Sequence, residues 1–297
     1  MKDQLNRRKA IQQISLGAGL LATGLPNLSC NAQNEEAEET PTGLKNNIKQ
    51  SVCQWCFGSF PLEELAERAK DMGIKGIDLL GPDAWPVIQK YGLQCALGND
   101  TWVSLPEGFN NPDNHANLIP KYIELIDKAA DHGVPNVIVF SGNRNGLSDE
   151  EGLENCAVGL DKVVKHAEKK GVMIVSELLN SKVDHIDFQC DHTDWGVALV
   201  EKLGSPNFKL LYDIYHMQIM EGDIIATIKK NHQYIAHYHT AGVPGRNEID
   251  ETQELYYPAI IRAILETGYK GYLAQEFIPK AEDKFASLEA GVKICDV

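Results

Sequence analysis

No apolar run reaches the length of about 18 residues that a spanning helix needs, so no membrane span is expected in the mature chain. A basic stripe is missing as well. Lys and Arg number 28 against 42 Asp and Glu, for a net charge of −14. Residues 1–30 hold four of the basic residues and one Asp, so the remainder carries −17. Such a chain repels phosphate backbones, and nucleic-acid binding is not expected. Cys53 and Cys56 form a C-x-x-C, but no second one accompanies it. The pair also falls in an apparent strand, where residues three apart face opposite sides, so a mutual disulfide or shared metal is poorly placed. Apart from Cys30, the cysteines read as buried packing residues.

What is present starts with an address. Lys2, Arg7, Arg8 and Lys9 precede the mildly apolar stretch "ISLGAGLLATGL", the layout of an export signal, with Arg7-Arg8 like the twin-arginine type. Cys30 closes "NLSC" in the manner of a lipoprotein box, although Asn27 stands where an aliphatic residue is usual. The expectation is a periplasmic or lipid-anchored protein with a signal over 1–30. Residues 31–45 are polar and acidic and read as a disordered tether, because they cannot bury enough to offset their ordering entropy. The folded domain is expected over 46–297.

From Gln50 onward, short apolar runs alternate with helical patterns. "QSVCQWCF", "IKGIDLL", "LQCALGN", "NVIVFSG", "VMIVSELLN", "FKLLYDIYH", "IAHYHTAG" and "GYLAQEFIP" read as strands. Helical patterns between them end in glycine at Gly73, Gly92, Gly133, Gly171 and Gly268, as helix C-caps do. The nearly continuous apolar strands fit a parallel sheet covered on both faces. Eight strand–helix units over about 250 residues predict a single-domain (β/α)₈ TIM barrel, an α/β fold whose active sites lie at the C-terminal strand ends. A doubly wound open sheet is the alternative, but it usually carries a glycine-rich phosphate loop after its first strand, and "FGSFP" is not one.

The barrel frame selects candidates. Strand five offers Glu177, strand six Asp213 followed by His216, strand seven His237 and His239, and strand eight Glu276. Three carboxylates and an imidazole brought to one rim would repel each other unless a cation held them. This oxygen and nitrogen set suits one divalent ion: Mg²⁺, Mn²⁺, Co²⁺ or Zn²⁺. His237 and His239 share a strand face, so one can serve as ligand and the other as core or supporting group. Arg246 sits in a Pro-Gly turn after strand seven and offers a cation for substrate oxygens.

Four stretches carry a family resemblance: "SELLN" around Glu177, "YDIYH" from Tyr212, "HYHTAGVPGRNE" from His237, and "GYLAQEF" ending near Glu276. From about Gln50 to the C-terminus the chain resembles the xylose-isomerase-like TIM barrels, with hydroxypyruvate isomerases and ketose 3-epimerases as the related activities. The resemblance implies Glu177 and Glu276 as the acid/base pair, and Glu177, Asp213, His239 and Glu276 as the metal shell. His216 and Arg246 would touch substrate oxygens, and His237 joins them as a substrate-binding candidate. His239 departs from the hydroxypyruvate isomerases, which usually show Gln there. Sugar isomerases and epimerases of the superfamily show His.

The implied chemistry moves a proton α to a carbonyl through an enediolate, aided by the ion. The expected substrate is a small hydroxypyruvate-like keto acid or a ketose. Three other readings stand beside this one. They are an exported keto-sugar epimerase or 3-keto-glycoside lyase or hydrolase, a non-catalytic sugar-binding lipoprotein, and phosphodiester cleavage. The second has no use for an acid/base pair, and the third wants more histidines and a basic approach. The oligomeric state is left open, a homo-oligomer included.

Overall fold

The eight apolar runs form a closed ring in the computed structural model, which describes residues 43–297. The export segment with Cys30, and residues 31–42 of the expected tether, lie outside the described residues. The strands are β1 (Lys49–Cys53), β2 (Gly76–Leu80), β3 (Gln94–Gly98), β4 (Asn136–Val139), β5 (Met173–Glu177), β6 (Phe208–Asp213), β7 (Ile235–Thr240) and β8 (Tyr272–Gln275). Each pairs in parallel with the next, and β1 pairs with β8 from Lys49↔Tyr272 to Val52↔Gln275. Closure leaves no free sheet edge and rules out the open doubly wound alternative.

The helices follow from caps and patterning. They are α1 (Leu62–Asp71), α2 (Trp85–Gln89), α3 (Pro112–Asp131), α4 (Asp149–Lys170), α5 (Thr193–Leu203), α6 (Ile214–Met220), α7 (Ile224–Asn231), α8 (Tyr257–Glu266) and α9 (Lys284–Cys295). In α4, Ser148 and Glu151 form a capping box, acidic residues fill the first turn and Lys169 and Lys170 the last, which complements the helix dipole. Gly171 then ends the helix at φ 69°, a conformation that costs glycine nothing. The inward stripe Cys156, Leu160, Val163, Val164 and Ala167 packs on the barrel. Each large apolar side chain buried this way contributes about 1.5–3 kcal/mol. Beneath the β1–β8 seam, Gln275 Nε2 donates to Gln50 Oε1 (3.0 Å) and Gln50 Nε2 to the Val292 carbonyl (2.9 Å), tying α9 to both strands.

One expectation needs correction. The first strand does not run to Phe57; it stops at Cys53, and Gln54–Phe57 forms a 3₁₀ turn. Cys53 and Cys56 therefore do not share a strand, and both are free and buried, as are Cys95, Cys156, Cys190 and Cys295. The fifth strand ends at Glu177, as the barrel frame expected. No helix among the described residues is long and apolar enough to cross a membrane.

Candidate active site

The four strand-end residues meet. Glu177 is the last residue of β5, Asp213 the last of β6, His239 lies on β7 directly paired with Asp213, and Glu276 follows β8. One ligand atom from each lies within 4.8 Å of the others, and all four side chains are buried. Local structure aims them. Asp213 caps α6 through Oδ1, which accepts the N–H groups of Tyr215 (2.8 Å) and His216 (3.2 Å). That bond turns the chain from strand to helix and leaves Oδ2 without a hydrogen bond. Glu276 is held on both oxygens. Oε1 accepts from Trp55 Nε1 (2.9 Å), and Oε2 faces His239 Nδ1 (2.9 Å) and Arg246 Nη2 (2.7 Å). Glu177 Oε1 stands 3.4 Å from His239 Nδ1 and makes no hydrogen bond.

The electrostatics are those of charges crowded out of water. Burial pushes Asp213 well above the usual carboxylate range, and the negative Glu276 adds to it. Burial likewise raises Glu177. For Glu276 burial acts upward too, but His239 and Arg246 together outweigh it and hold the carboxyl well below its ordinary value. His239 shows the converse: burial favours the neutral ring, yet Glu276 and its other acidic neighbours raise its pKa well above the ordinary value. Unpartnered, buried oxygens on Glu177 and Asp213 are costly as they stand. Atoms around one divalent ion with bonds of about 2.0–2.2 Å are separated by at most about twice that length. The spacing here approaches that figure, so this donor set fits one divalent ion.

Beside the cluster lies a cavity of about 340 Å³. Glu177, Glu276, Arg246, His185 and Asn99 supply its polar lining, and Trp55, Leu79, Val103, Leu105, Phe140 and Leu179 its apolar walls. The chain has known relatives. Residues 57–292 match the family described as Xylose isomerase-like TIM barrel. The chain belongs to this family. Hydroxypyruvate isomerase of Escherichia coli (strain K12) is 32% identical over 258 residues, covering 81% of this chain and 95% of the relative. Among solved structures, D-psicose 3-epimerase from Clostridium cellulolyticum H10 matches with a TM-score of 0.70 at 17% identity, covering 84% of this chain and all of that one. The 3-keto-D-glucoside 4-epimerase from E. coli matches at 0.69 and 18% identity, covering 82% and 97%. At such identities the structures speak for the shared fold alone.

The other predicted residues of this xylose isomerase-like barrel are placed unequally. Arg246 lines the cavity, but one nitrogen is engaged by Glu276 and lies 3.8 Å from Asp213 Oδ2. Its guanidinium packs over the rings of Trp55 and Tyr215. His216 is buried. Asn180 Oδ1 accepts the N–H groups of Val183 and Asp184, so its Nδ2 is a donor and reaches His216 Nδ1 at 2.6 Å. The neutral ring therefore carries its proton on Nε2, 3.6 Å from Asp213 Oδ2. Burial, reinforced by Arg246, holds His216 well below the ordinary histidine pKa. His237 is not among the cavity-lining residues; it lies inside the barrel with Nε2 against Asp78 Oδ2.

Sequence reading passed over Asp78, Trp55, Asn180 and His185. Asp78 had a signal, a carboxylate inside the apolar run "GIDLL". Trp55 was hidden by reading its 3₁₀ turn as strand. Asn180 and His185 lie in the irregular segment after β5, where no periodicity points to them.

Proposed function

We propose that this chain is an isomerase or epimerase that moves a proton at the carbon beside a carbonyl in a small hydroxy-carbonyl compound. The pair Glu177 and Glu276 carries the reading: two buried carboxylates from separate strands line one cavity and share contact with His239. Glu177, Asp213, His239 and Glu276 would hold one divalent ion, Mg²⁺, Mn²⁺, Co²⁺ or Zn²⁺. When bound, such an ion supplies Lewis acidity toward substrate oxygens. One glutamate takes the proton, and the same or the other returns it. Arg246 steadies Glu276 and offers its remaining N–H groups to the substrate; its Nε has no partner. His216 turns its Nε2–H toward Asp213 Oδ2 at 3.6 Å. It is fully buried and, like His237, is not among the cavity-lining residues, so its part is to support Asp213 rather than to touch substrate.

The substrate class is a keto acid or a ketose. Arg246 is the only Lys or Arg lining the cavity among the described residues, and Glu276 already engages it. That arrangement supports an uncharged keto-sugar over a keto acid. Purified protein in D₂O with a divalent ion, offered panels of 2-keto acids, ketoses and 3-keto-glycosides, should place deuterium at the α-carbon of one class. Glu177→Gln and Glu276→Gln should each cost about 10²–10⁴-fold in turnover. Wild-type exchange in both variants would make the glutamates structural and end the proposal.

We propose as well that residues 1–30 direct export, supported by Arg7-Arg8 and the apolar stretch after them. Fractionation of the native host should find the mature chain outside the cytoplasm. If Cys30 is lipidated, Cys30→Ala releases the protein from membranes.

A further inference from the structure

Inside the ring, below the four-residue cluster, side chains are polar where this fold ordinarily packs branched apolar ones. Cys53 from β1, Asp78 from β2, and His237 and His239 from β7 are all fully buried. Asp78 Oδ2 stands 2.5 Å from His237 Nε2 and 3.4 Å from His239 Nε2, while Asp78 Oδ1 and His237 Nδ1 have no partner. Two unsatisfied polar atoms in a closed interior are expensive, and an apolar pair would fill the same space more cheaply. Packing does not account for these residues.

We infer that Asp78 is a positioning residue that keeps a proton on Nε2 of His239 and thereby turns that ring's Nδ1 toward Glu177 and Glu276. The inference rests on the reading of those residues as a metal shell. An ionised carboxylate only accepts hydrogen bonds, so one oxygen facing two Nε2 atoms calls for hydrogen on both. His237 makes the short bond. The His239 contact is too long for a strong hydrogen bond and acts through charge: a lone pair on Nε2 would point at the anion and be repelled. The other polar group near Nε2 is the Cys53 thiol at 3.9 Å, a weak partner beside a carboxylate. By the same rule Glu276 Oε2, 2.9 Å from Nδ1, calls for hydrogen on that nitrogen while the cluster holds no metal, and Glu177 Oε1 stands 3.4 Å away. A metal taken up by the cluster would displace the Nδ1 proton, and with Asp78 keeping the other proton on Nε2 the lone pair so freed is the one aimed at the cluster. His237 holds Asp78 in place from the same strand that carries His239.

Removing an outer partner of a metal-binding histidine typically weakens metal binding by about 10–100-fold. Mn²⁺ titration of the full chain by calorimetry should show a loss of that size in Asp78→Asn, with the melting temperature recorded alongside. Unchanged Mn²⁺ affinity in a folded Asp78→Asn overturns the inference. A second measurement uses the wild type with ¹⁵N-labelled histidine, His239 being assigned from the signal lost in His239→Gln. A protonated Nε2 on His239, with and without Mg²⁺, is expected. A neutral ring protonated on Nδ1 overturns the inference even if Asp78→Asn does not fold. If the wild type binds no Mn²⁺, the metal reading fails on its own and the nitrogen spectrum still decides the role of Asp78.

Discussion

Asp213 divides its two oxygens between two tasks: one stops a strand and starts a helix, the other faces the proposed ion. Asp213→Ala should lose both. Loss of the cap costs about 0.5–2 kcal/mol, and metal content should fall with it. Asp213→Asn should keep the cap and still lose metal, so thermal melting beside elemental analysis separates the tasks. Undiminished metal in Asp213→Ala would remove the residue from the shell. At this scale the sequence was readable where chemistry contradicted surroundings. Glu276 stood out because a carboxylate after "YLAQ" is costly to bury. Asp78 met the same test but sits mid-strand, and a filter that looked only at strand ends passed it by. Arg246 was readable as a cation near the rim. That Glu276 would already engage it depends on contacts across 30 residues, which no local pattern encodes.

The turn after β7 is the element on which the site most depends. Arg246 occupies φ 58°, a left-handed conformation uncommon for a residue with a side chain. The turn is closed by Gly242 N–H to the Asn247 carbonyl (2.8 Å) and Arg246 N–H to the Gly242 carbonyl (2.9 Å). A Cβ on Gly242 would come within 2.2 Å of the Glu248 carbonyl oxygen. Gly242→Ala should therefore displace Arg246, raising KM and lowering kcat together while the rest of the barrel stays folded by circular dichroism. Glu248 fixes the far side, accepting from the N–H groups of Lys280 (2.8 Å) and Ala281 (3.0 Å) and from Ser287 Oγ (3.1 Å). Burial alone would raise its pKa, but these donors outweigh burial and lower it. A carboxylate with a depressed folded pKa stabilises above its unfolded pKa and loses that contribution as pH falls through the folded value. Wild type should thus melt above Glu248→Gln at neutral pH, and the gap should close below about pH 4. An equal gap at pH 7 and pH 3 would contradict this. Element types were readable here and element ends were less so. "QSVCQWCF" is a short, largely apolar stretch, and periodicity alone cannot tell its strand from the 3₁₀ turn that follows.

At the scale of the molecule, eight alternations of apolar run and helical pattern were enough to name the barrel. Closure was not written in any one of them, because the β1–β8 seam joins residues more than 200 positions apart. The seam also brings the ends of the described chain together. The N–H groups of Lys45 and Asn46 bond the Asp296 carboxylate at 2.6 and 2.9 Å, and Asn47 Nδ2 reaches the Val297 carbonyl at 2.8 Å. These contacts sit where β1 begins and α9 finishes, on the face opposite the strand ends that carry the candidate site. The ends are therefore close enough to be joined, with the backbone reopened at an exposed turn. A circular permutant that joins residue 297 to residue 43 by a short linker and opens at the exposed Gly92, between α2 and β3, should fold and bind metal as the parent does. Such a permutant would free the covalent ends to be placed at other corners of the barrel, so that a label or a surface attachment could approach the pocket from a direction the native chain order never offers.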